Sequence, residues 1–351
     1  MSDSSTPRII SVATAVPPYT VSQSEAKAFA ASFFENDFKQ LDRLLPVFDH
    51  TQIGNRYLAQ PPDWYGRPHS FTETNALYEK TALELAVTAA RQALHRAAVL
   101  SGEIGMVVFV STTGIATPSL DAKLIQRLGL SNHTCRLPIW GLGCAGGVAG
   151  AARAAELARS CPGRAVLLVA VELCSLTFQY NDRSKANLIA TSLFGDGAAA
   201  AVFNTTGDGP EVLGSYSTLF EDSEDVMGWD LVQTGLRVRF SRHIPTIIDR
   251  HLPGLRRQAC ATWGLDLDSL RYYVAHPGGA KVLAAYIDSL GLSAADLKHA
   301  YEILACYGNM SSASVLFVLE RFLANQPPSG DYGVMLSLGP GFSAEQVLFR
   351  W

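Results

Sequence analysis

The chain has 351 residues, 48% of them hydrophobic and 17% charged, enough to bury a sizeable core in two domains or one large one. Lys plus Arg number 28 against 32 Asp plus Glu, a net charge of −4, which argues against a nucleic-acid or membrane-surface protein. Six cysteines, at 135, 144, 161, 174, 260 and 306, fall without metal-type or paired spacing, as free thiols in a reducing cytosol would. Residues 1–8 have no signal-peptide shape and no run approaches the ~18 apolar residues that cross a bilayer, so a cytoplasmic protein is expected.

Taken in order, residues 9–15 read as a first strand. Residues 24–45 read as a helix with Phe29, Phe33, Phe34, Phe38 and Leu41 on a broad apolar face. Residues 49–70, polar and rich in Pro and Gly, read as a loop. A long helix is expected over 74–98, a buried strand over 104–110 and a helix over 121–128. An apolar run then ends at Ile139-Trp140, and a helix covers 148–157. A strand over 165–171 ends in Glu172, and Leu193-Phe194-Gly195-Asp196-Gly197 leads into another over 198–203.

The Asn-Thr-Thr-Gly-Asp-Gly-Pro stretch at 204–210 is the best candidate boundary, dividing the chain into halves 1–205 and 206–351. Beyond it the order recurs in outline. A strand over 272–275 precedes helices over 280–289, 294–305 and 311–323, then strands over 333–338 and 346–349. Strands alternating with helices predict layered α/β architecture with reactive groups at strand ends, and the halves read as a diverged duplication.

Three strand or helix ends carry groups with chemistry. Cys144 lies in Gly141-Leu142-Gly143-Cys144-Ala145-Gly146-Gly147, at a strand-to-helix junction. Free helix N–H groups and the positive end of the dipole there favour thiolate, predicting a depressed thiol pKa. Cysteine is also among the most buried residue types, so its position alone decides nothing. His276 ends a strand and enters Pro277-Gly278-Gly279, and Asn309 lies just before a helix, where an N-cap or turn role is the ordinary alternative. Together Cys, His and Asn suit acyl-thioester chemistry: imidazole supports the thiolate, and imidazole and amide donate to a developing enolate oxygen.

These residues sit in five motifs: the Cys144 stretch, Leu193-Phe194-Gly195-Asp196-Gly197-Ala198, His276-Pro277-Gly278-Gly279, Gly308-Asn309-Met310-Ser311-Ser312-Ala313 and Gly339-Pro340-Gly341-Phe342. In that order, over nearly the whole chain, they resemble the type III polyketide synthases of the chalcone synthase superfamily, built on the thiolase fold. The resemblance implies that Cys144 carries the starter and the growing chain, and that His276 and Asn309 assist decarboxylation of malonyl-CoA and condensation. It implies that Phe194 gates the tunnel mouth, with Ser311 among the substrate-lining positions. It further implies a homodimer using coenzyme A thioesters, with neither a metal nor another cofactor.

Departures from plant members bear on the product. Thr117 stands where those enzymes have Met and Val238 where they have a second gating Phe; Thr112 and Thr177 match threonines that line the cavity. Thr112 also argues against the bacterial tetrahydroxynaphthalene synthases, which carry Cys there. A coenzyme A lysine falls on Gly54, leaving Arg56 and Lys281 as the candidates for holding the coenzyme. Trp229 replaces a glycine and would fill one lobe of the cavity. Met227-Gly228-Trp229-Asp230, Gly235-Leu236, Phe240-Ser241-Arg242 and Ile244-Pro245 resemble the bacterial alkylpyrone and alkylresorcinol branch, which favours long fatty acyl starters. The alternatives are a synthase with a short or aromatic starter, a fatty-acid initiation enzyme, whose histidine motif is His-Gln-Ala-Asn, and an inactive thiolase-fold scaffold.

Overall fold

The computed structural model describes residues 6–351 except Arg242 and Gln326. The arginine of the Phe240-Ser241-Arg242 motif and the first five residues therefore lie outside the described residues. In chain order the strands are β1 (Arg8–Ala15), β2 (Tyr19–Ser22), β3 (Asn55–Leu58), β4 (Ile104–Val110), β5 (Cys135–Ile139), β6 (Ala165–Leu173) and β7 (Asp196–Asn204). They continue with β8 (Glu211–Leu219), β9 (Met227–Val232), β10 (Gly235–Phe240), β11 (Leu270–Ala275), β12 (Tyr332–Gly339) and β13 (Ser343–Arg350).

Nine of these form one mixed sheet in the order β11-β12-β13-β8-β1-β7-β6-β4-β5. From the centre outward on one side, β1 is antiparallel to β7, β7 is antiparallel to β6, and β6, β4 and β5 run parallel. On the other side β8 is antiparallel to β13, β13 is antiparallel to β12, and β12 is parallel to β11. The second half repeats the connectivity and direction of the first, less its outermost strand. Duplicated layered α/β halves are thus present in the topology, although no residue repeat survives. The pairing of Arg8 with Glu211, with backbone hydrogen bonds from Ile9 to Pro210 and from Val212 to Pro7, joins the two halves of the sheet.

Every residue of β6 is buried, because helices cover both faces of the sheet. Val166, Leu168 and Ala170 face a core shared with the second half, while Leu167, Val169 and Val171 face the helix Phe71–Arg96. Two helices, Gly146–Ser160 and Ser314–Asn325, bury one broad face each in the shared core. Their approach explains the glycines after Cys144: a Cβ on Gly147 would lie 2.2 Å from the Ser312 carbonyl oxygen, and one on Gly146 2.6 Å from Val110 Cγ1.

Several elements differ from the sequence expectation. The first helix is Gln23–Phe33, held by a Ser22–Glu25 capping box, and the chain then breaks into short turns through Asp49. Asn36 and Asp37 favour turns and Pro46 cannot continue a helix from before, so the phenylalanines pack without helical register. The expected loop at 49–70 contains β3, paired with β2. The hairpin of β9 and β10 and the helix Ile244–Trp263 were not anticipated. Pro253 inside that helix interrupts the pattern by which it would be read.

Candidate active site

Cys144 lies in a tight turn, Gly143–Ala145, that feeds directly into the buried helix from Gly146. The turn needs left-handed backbone at Gly141 (φ 93°) and Gly143 (φ 46°). Thr112 Oγ1 accepts the Gly143 N–H at 3.2 Å, and Ser337 Oγ donates to the Cys144 carbonyl at 2.6 Å. A Cβ on Gly143 would meet Pro340 at 2.7 Å, so the Gly339-Pro340-Gly341 motif forms the floor of the nucleophile turn.

The Asn309 loop reaches the same point from the second half. Ser311 and Asn309 both lie near enough to the Cys144 thiol to lower its pKa. Asn309 Oδ1 accepts the Ser311 N–H at 2.8 Å, and Asn309 Nδ2 donates to the Gly278 carbonyl at 3.1 Å, tying the asparagine to the turn after His276. Ser311 is held in left-handed backbone (φ 48°), a conformation costly for a non-glycine residue. His276 directly follows β11 and is 2% exposed, and among the described residues neither ring nitrogen has a hydrogen-bond partner.

Burial pushes the Cys144 thiol up to about 11, against the weaker opposing pull of Ser311 and Asn309. It pushes His276 down to about 3. The depressed thiol pKa expected from the helix start is therefore corrected: burial raises the thiol and lowers the imidazole, so desolvation favours the neutral form of both.

Glu172, at the end of β6, was noted in the sequence only as the end of a strand. Its carboxylate accepts the Thr112 N–H at 3.0 Å, Thr113 Oγ1 at 2.9 Å and Ser312 Oγ at 2.6 Å. It thereby joins the residue that orients the nucleophile turn to the loop that carries Ser311 and Asn309. A charged residue closing an otherwise apolar buried strand was the available signal. Burial raises it to about 7 despite these donors.

Phe194 pairs through the backbone with Asn309 and is 9% exposed. Its ring lies 5.8 Å from Trp229 and 5.6 Å from Phe240, both on the β9–β10 hairpin, where Val238 pairs with Trp229. Behind Phe194 a cavity of about 260 Å³ is walled by Thr177, Val238, Cys174, Ala190 and Phe178, among others.

Two expected positions fall elsewhere. Thr117 is exposed in a loop tied outward by Asn75 and Trp140, and does not line the cavity of its own chain. Arg56 is 3% exposed, and its Nη1 donates to the carbonyls of Thr191 and Phe194; it braces the gate from beneath and is turned away from solvent-borne phosphates. Lys281 is exposed in the first turn of the helix Ala280–Leu290, beside the His276 turn.

Comparison with known proteins decides the family. The model for the chalcone and stilbene synthase N-terminal domain matches residues 3–207, and that for the C-terminal domain matches residues 211–351. The chain belongs to the chalcone and stilbene synthase family. A chalcone synthase-like protein of Bacillus subtilis is 43% identical, over 98% of each chain. The 1,3,6,8-tetrahydroxynaphthalene synthase of Streptomyces peucetius is 40% identical, over 98% of this chain and 93% of that one. The crystal structure of 1,3,6,8-tetrahydroxynaphthalene synthase from Streptomyces coelicolor superposes with a TM-score of 0.94 at 30% identity, covering 98% and 99% of the two chains. This synthase is accordingly a type III polyketide synthase of thiolase-like fold, a decarboxylating condensing acyltransferase that uses malonyl-CoA and acyl-CoA. Among its described residues no helix is long and apolar enough to cross a membrane, and no three His, Cys, Asp or Glu side chains converge to hold a metal ion.

Proposed function

We propose that this synthase extends a long-chain fatty acyl-CoA starter with malonyl-CoA and cyclises the product to an alkylpyrone, with alkylresorcinols as a second product class. The observation that carries the reading is the cavity behind Phe194, whose walls are mainly apolar and include Val21, Phe29, Leu58, Phe178, Ala190 and Val238. Each methylene buried there contributes about 0.8 kcal/mol, so chain length adds to binding.

Cys144 Sγ attacks the starter thioester as His276 takes the thiol proton and passes it to the departing coenzyme A sulfur. Malonyl-CoA then loses CO₂, leaving an enolate whose oxygen receives hydrogen bonds from the neutral His276 N–H and the Asn309 amide. The enolate carbon attacks the Cys144 thioester, forming the carbon–carbon bond and expelling the Cys144 sulfur. Decarboxylation drives the condensation, so no redox group, metal or further cofactor takes part. Lys281 is the remaining candidate for the coenzyme A phosphates.

A cytoplasmic homodimer fits the same reading. β5 is an exposed sheet edge, and beside it Trp140 is 57% and Ile115 40% exposed, with Thr117 in the same loop.

The 40% identity to a tetrahydroxynaphthalene synthase favours a second reading, with malonyl-CoA as starter and a naphthalene-type product. Thr112, where a cysteine is expected in those enzymes, opposes it. A starter series from acetyl-CoA to palmitoyl-CoA with one aromatic acyl-CoA separates them. The long-chain reading requires catalytic efficiency that rises over several carbons; preference for acetyl, malonyl or aromatic starters overturns it and leaves the condensation chemistry intact.

A further inference from the structure

A second cavity, of about 1190 Å³, lies away from the catalytic turn at the seam of the main sheet. Beyond the pairing of Arg8 with Glu211 the strands β1 and β8 part, and the walls of an open groove stand between them. The walls are the first residues of β1, the helix Ser314–Asn325, the loop at 208–211, and Tyr332 with Arg350 and Trp351. Tyr332 opens β12, whereas His276 follows the far end of β11, which runs parallel to it. The groove therefore opens at the end of the sheet opposite His276.

Two arginines from each half of the fold line it: Arg8 and Arg96 from the first, Arg321 and Arg350 from the second. Glu211, 7% exposed, accepts Arg8 Nη2 on one carboxylate oxygen and Arg350 Nε and Nη2 on the other. One buried carboxylate thus fixes two guanidiniums side by side and leaves the pair with a surplus positive charge. Arg96 Nη1 donates to Glu320 at 2.6 Å and to the Val12 carbonyl at 2.5 Å. Arg321 is exposed and, among the described residues, has no ion pair. Each guanidinium keeps N–H groups that these bonds do not use. With Asp208 on the rim, four arginines face three carboxylates here, a local positive excess in a chain of net charge −4. Ion pairs that only closed the seam would leave no room between its walls; these border an open groove.

We propose that this groove binds a nucleoside diphosphate, with its phosphates on the Arg8–Arg350 pair and on Arg321. Cations contributed by both halves call for a ligand with more than one anionic group, and the planar arginine fork matches phosphate oxygens in pairs. Tyr332, which pairs with Arg350 across β12 and β13, and Trp351 supply aromatic surface for a base at that end. The volume is that of a small-molecule site. Bound there, the ligand ties the half that carries Cys144 to the half that carries His276 and Asn309 while touching none of the three.

The test titrates the full-length protein with ADP and with inorganic pyrophosphate by calorimetry in phosphate-free buffer. ADP is expected to bind once per chain with a dissociation constant below about 1 mM, and roughly tenfold more tightly than pyrophosphate, which lacks the base. Arg321→Ala and Ala324→Glu are each expected to weaken both ligands roughly tenfold. Both positions are exposed on the helix Ser314–Asn325, so neither change breaks an ion pair described above. Arg8→Ala is the poorer variant, because it leaves the buried Glu211 with one cation fewer. Lys281→Ala is expected to leave both affinities within about twofold, which separates the groove from the candidate coenzyme A position. No ADP binding at about 10 mM overturns the proposal. So does binding that survives both groove variants, or binding lost with Lys281→Ala. Equal affinity for ADP and pyrophosphate overturns the nucleoside and leaves inorganic diphosphate as the occupant.

Discussion

Ser312 Oγ donates a 2.6 Å hydrogen bond to the carboxylate of Glu172, and the two residues come from opposite halves of the duplicated fold. Through the same carboxylate Thr112 is fixed, and through Thr112 the turn that carries Cys144. The candidate nucleophile turn and the Asn309 loop are thus joined through one buried carboxyl group.

A charge on that group is costly, and its cost depends on pH. Burial raises Glu172 to about 7, while the unfolded chain titrates near ~4.3. Between those values the folded protein keeps a proton that the unfolded chain has lost, so the stability from this group falls as pH rises and levels off above pH 7. Glu172→Gln keeps the shape, since its amide can accept from Thr112 and Thr113 and donate to Ser312. Relative to wild type it should gain roughly 3 kcal/mol between pH 5 and pH 8, read by urea denaturation at the two pH values. An equal gap at both would show that Glu172 does not titrate in this window.

The reactive thiol gives a second pH test. With Cys144 raised to about 11 by burial and His276 neutral, the thiolate fraction grows tenfold per pH unit up to pH 9. Iodoacetamide labelling of Cys144, followed by peptide mapping, should rise accordingly and show no plateau. A plateau below pH 8 would mean that imidazolium holds the sulfur as thiolate in the free enzyme.

Asn309 lies near the thiol and is bonded to the turn after His276, but its proposed work is on the enolate. Asn309→Ala should still accept an acyl group from acyl-CoA, while release of CO₂ from malonyl-CoA falls about 10²- to 10³-fold, as when an oxyanion donor is removed. Normal CO₂ release from the variant would remove Asn309 from that role.

The placement of Cys144, His276 and Asn309 at the ends of secondary-structure elements could be read from the sequence, and for a physical reason. Cys144, His276 and Asn309 sit where backbone geometry forces a signature: paired glycines under a helix crossing, Pro-Gly-Gly after a strand, and Gly-Asn before a helix. Phe194 was singled out by the family resemblance alone, and the structure pairs its backbone with Asn309. The direction of Arg56 and Thr117 could not be read from their identity: the arginine turns inward to two carbonyls, and the Thr117 loop is tied by Asn75 and Trp140. Glu172 and Ser312 escaped notice because their partners lie 140 residues apart in the chain. The β9–β10 hairpin stands apart from the main sheet as a half-exposed ribbon, so its alternation of buried and exposed residues is weak.

The proposed dimer rests on the exposed edge at β5. Trp140→Glu places a charge in that patch, at a side chain whose Nε1 donates to the Gly114 carbonyl. Sedimentation should show a dimer for wild type and a shift toward monomer for the variant at micromolar concentration. An unaltered dimer would put the interface elsewhere.

The central claim is that Cys144 carries a long acyl chain and extends it with malonyl-CoA. Its most direct test is mass spectrometry of the purified enzyme given dodecanoyl-CoA and then malonyl-CoA, reading the Cys144 peptide and the released products together. The account predicts a dodecanoyl thioester on Cys144 before malonyl-CoA is added, its disappearance afterwards, and a product two acetate units longer than the starter with the mass of an alkylpyrone. An unmodified Cys144, or a product built only from malonyl units, would contradict it.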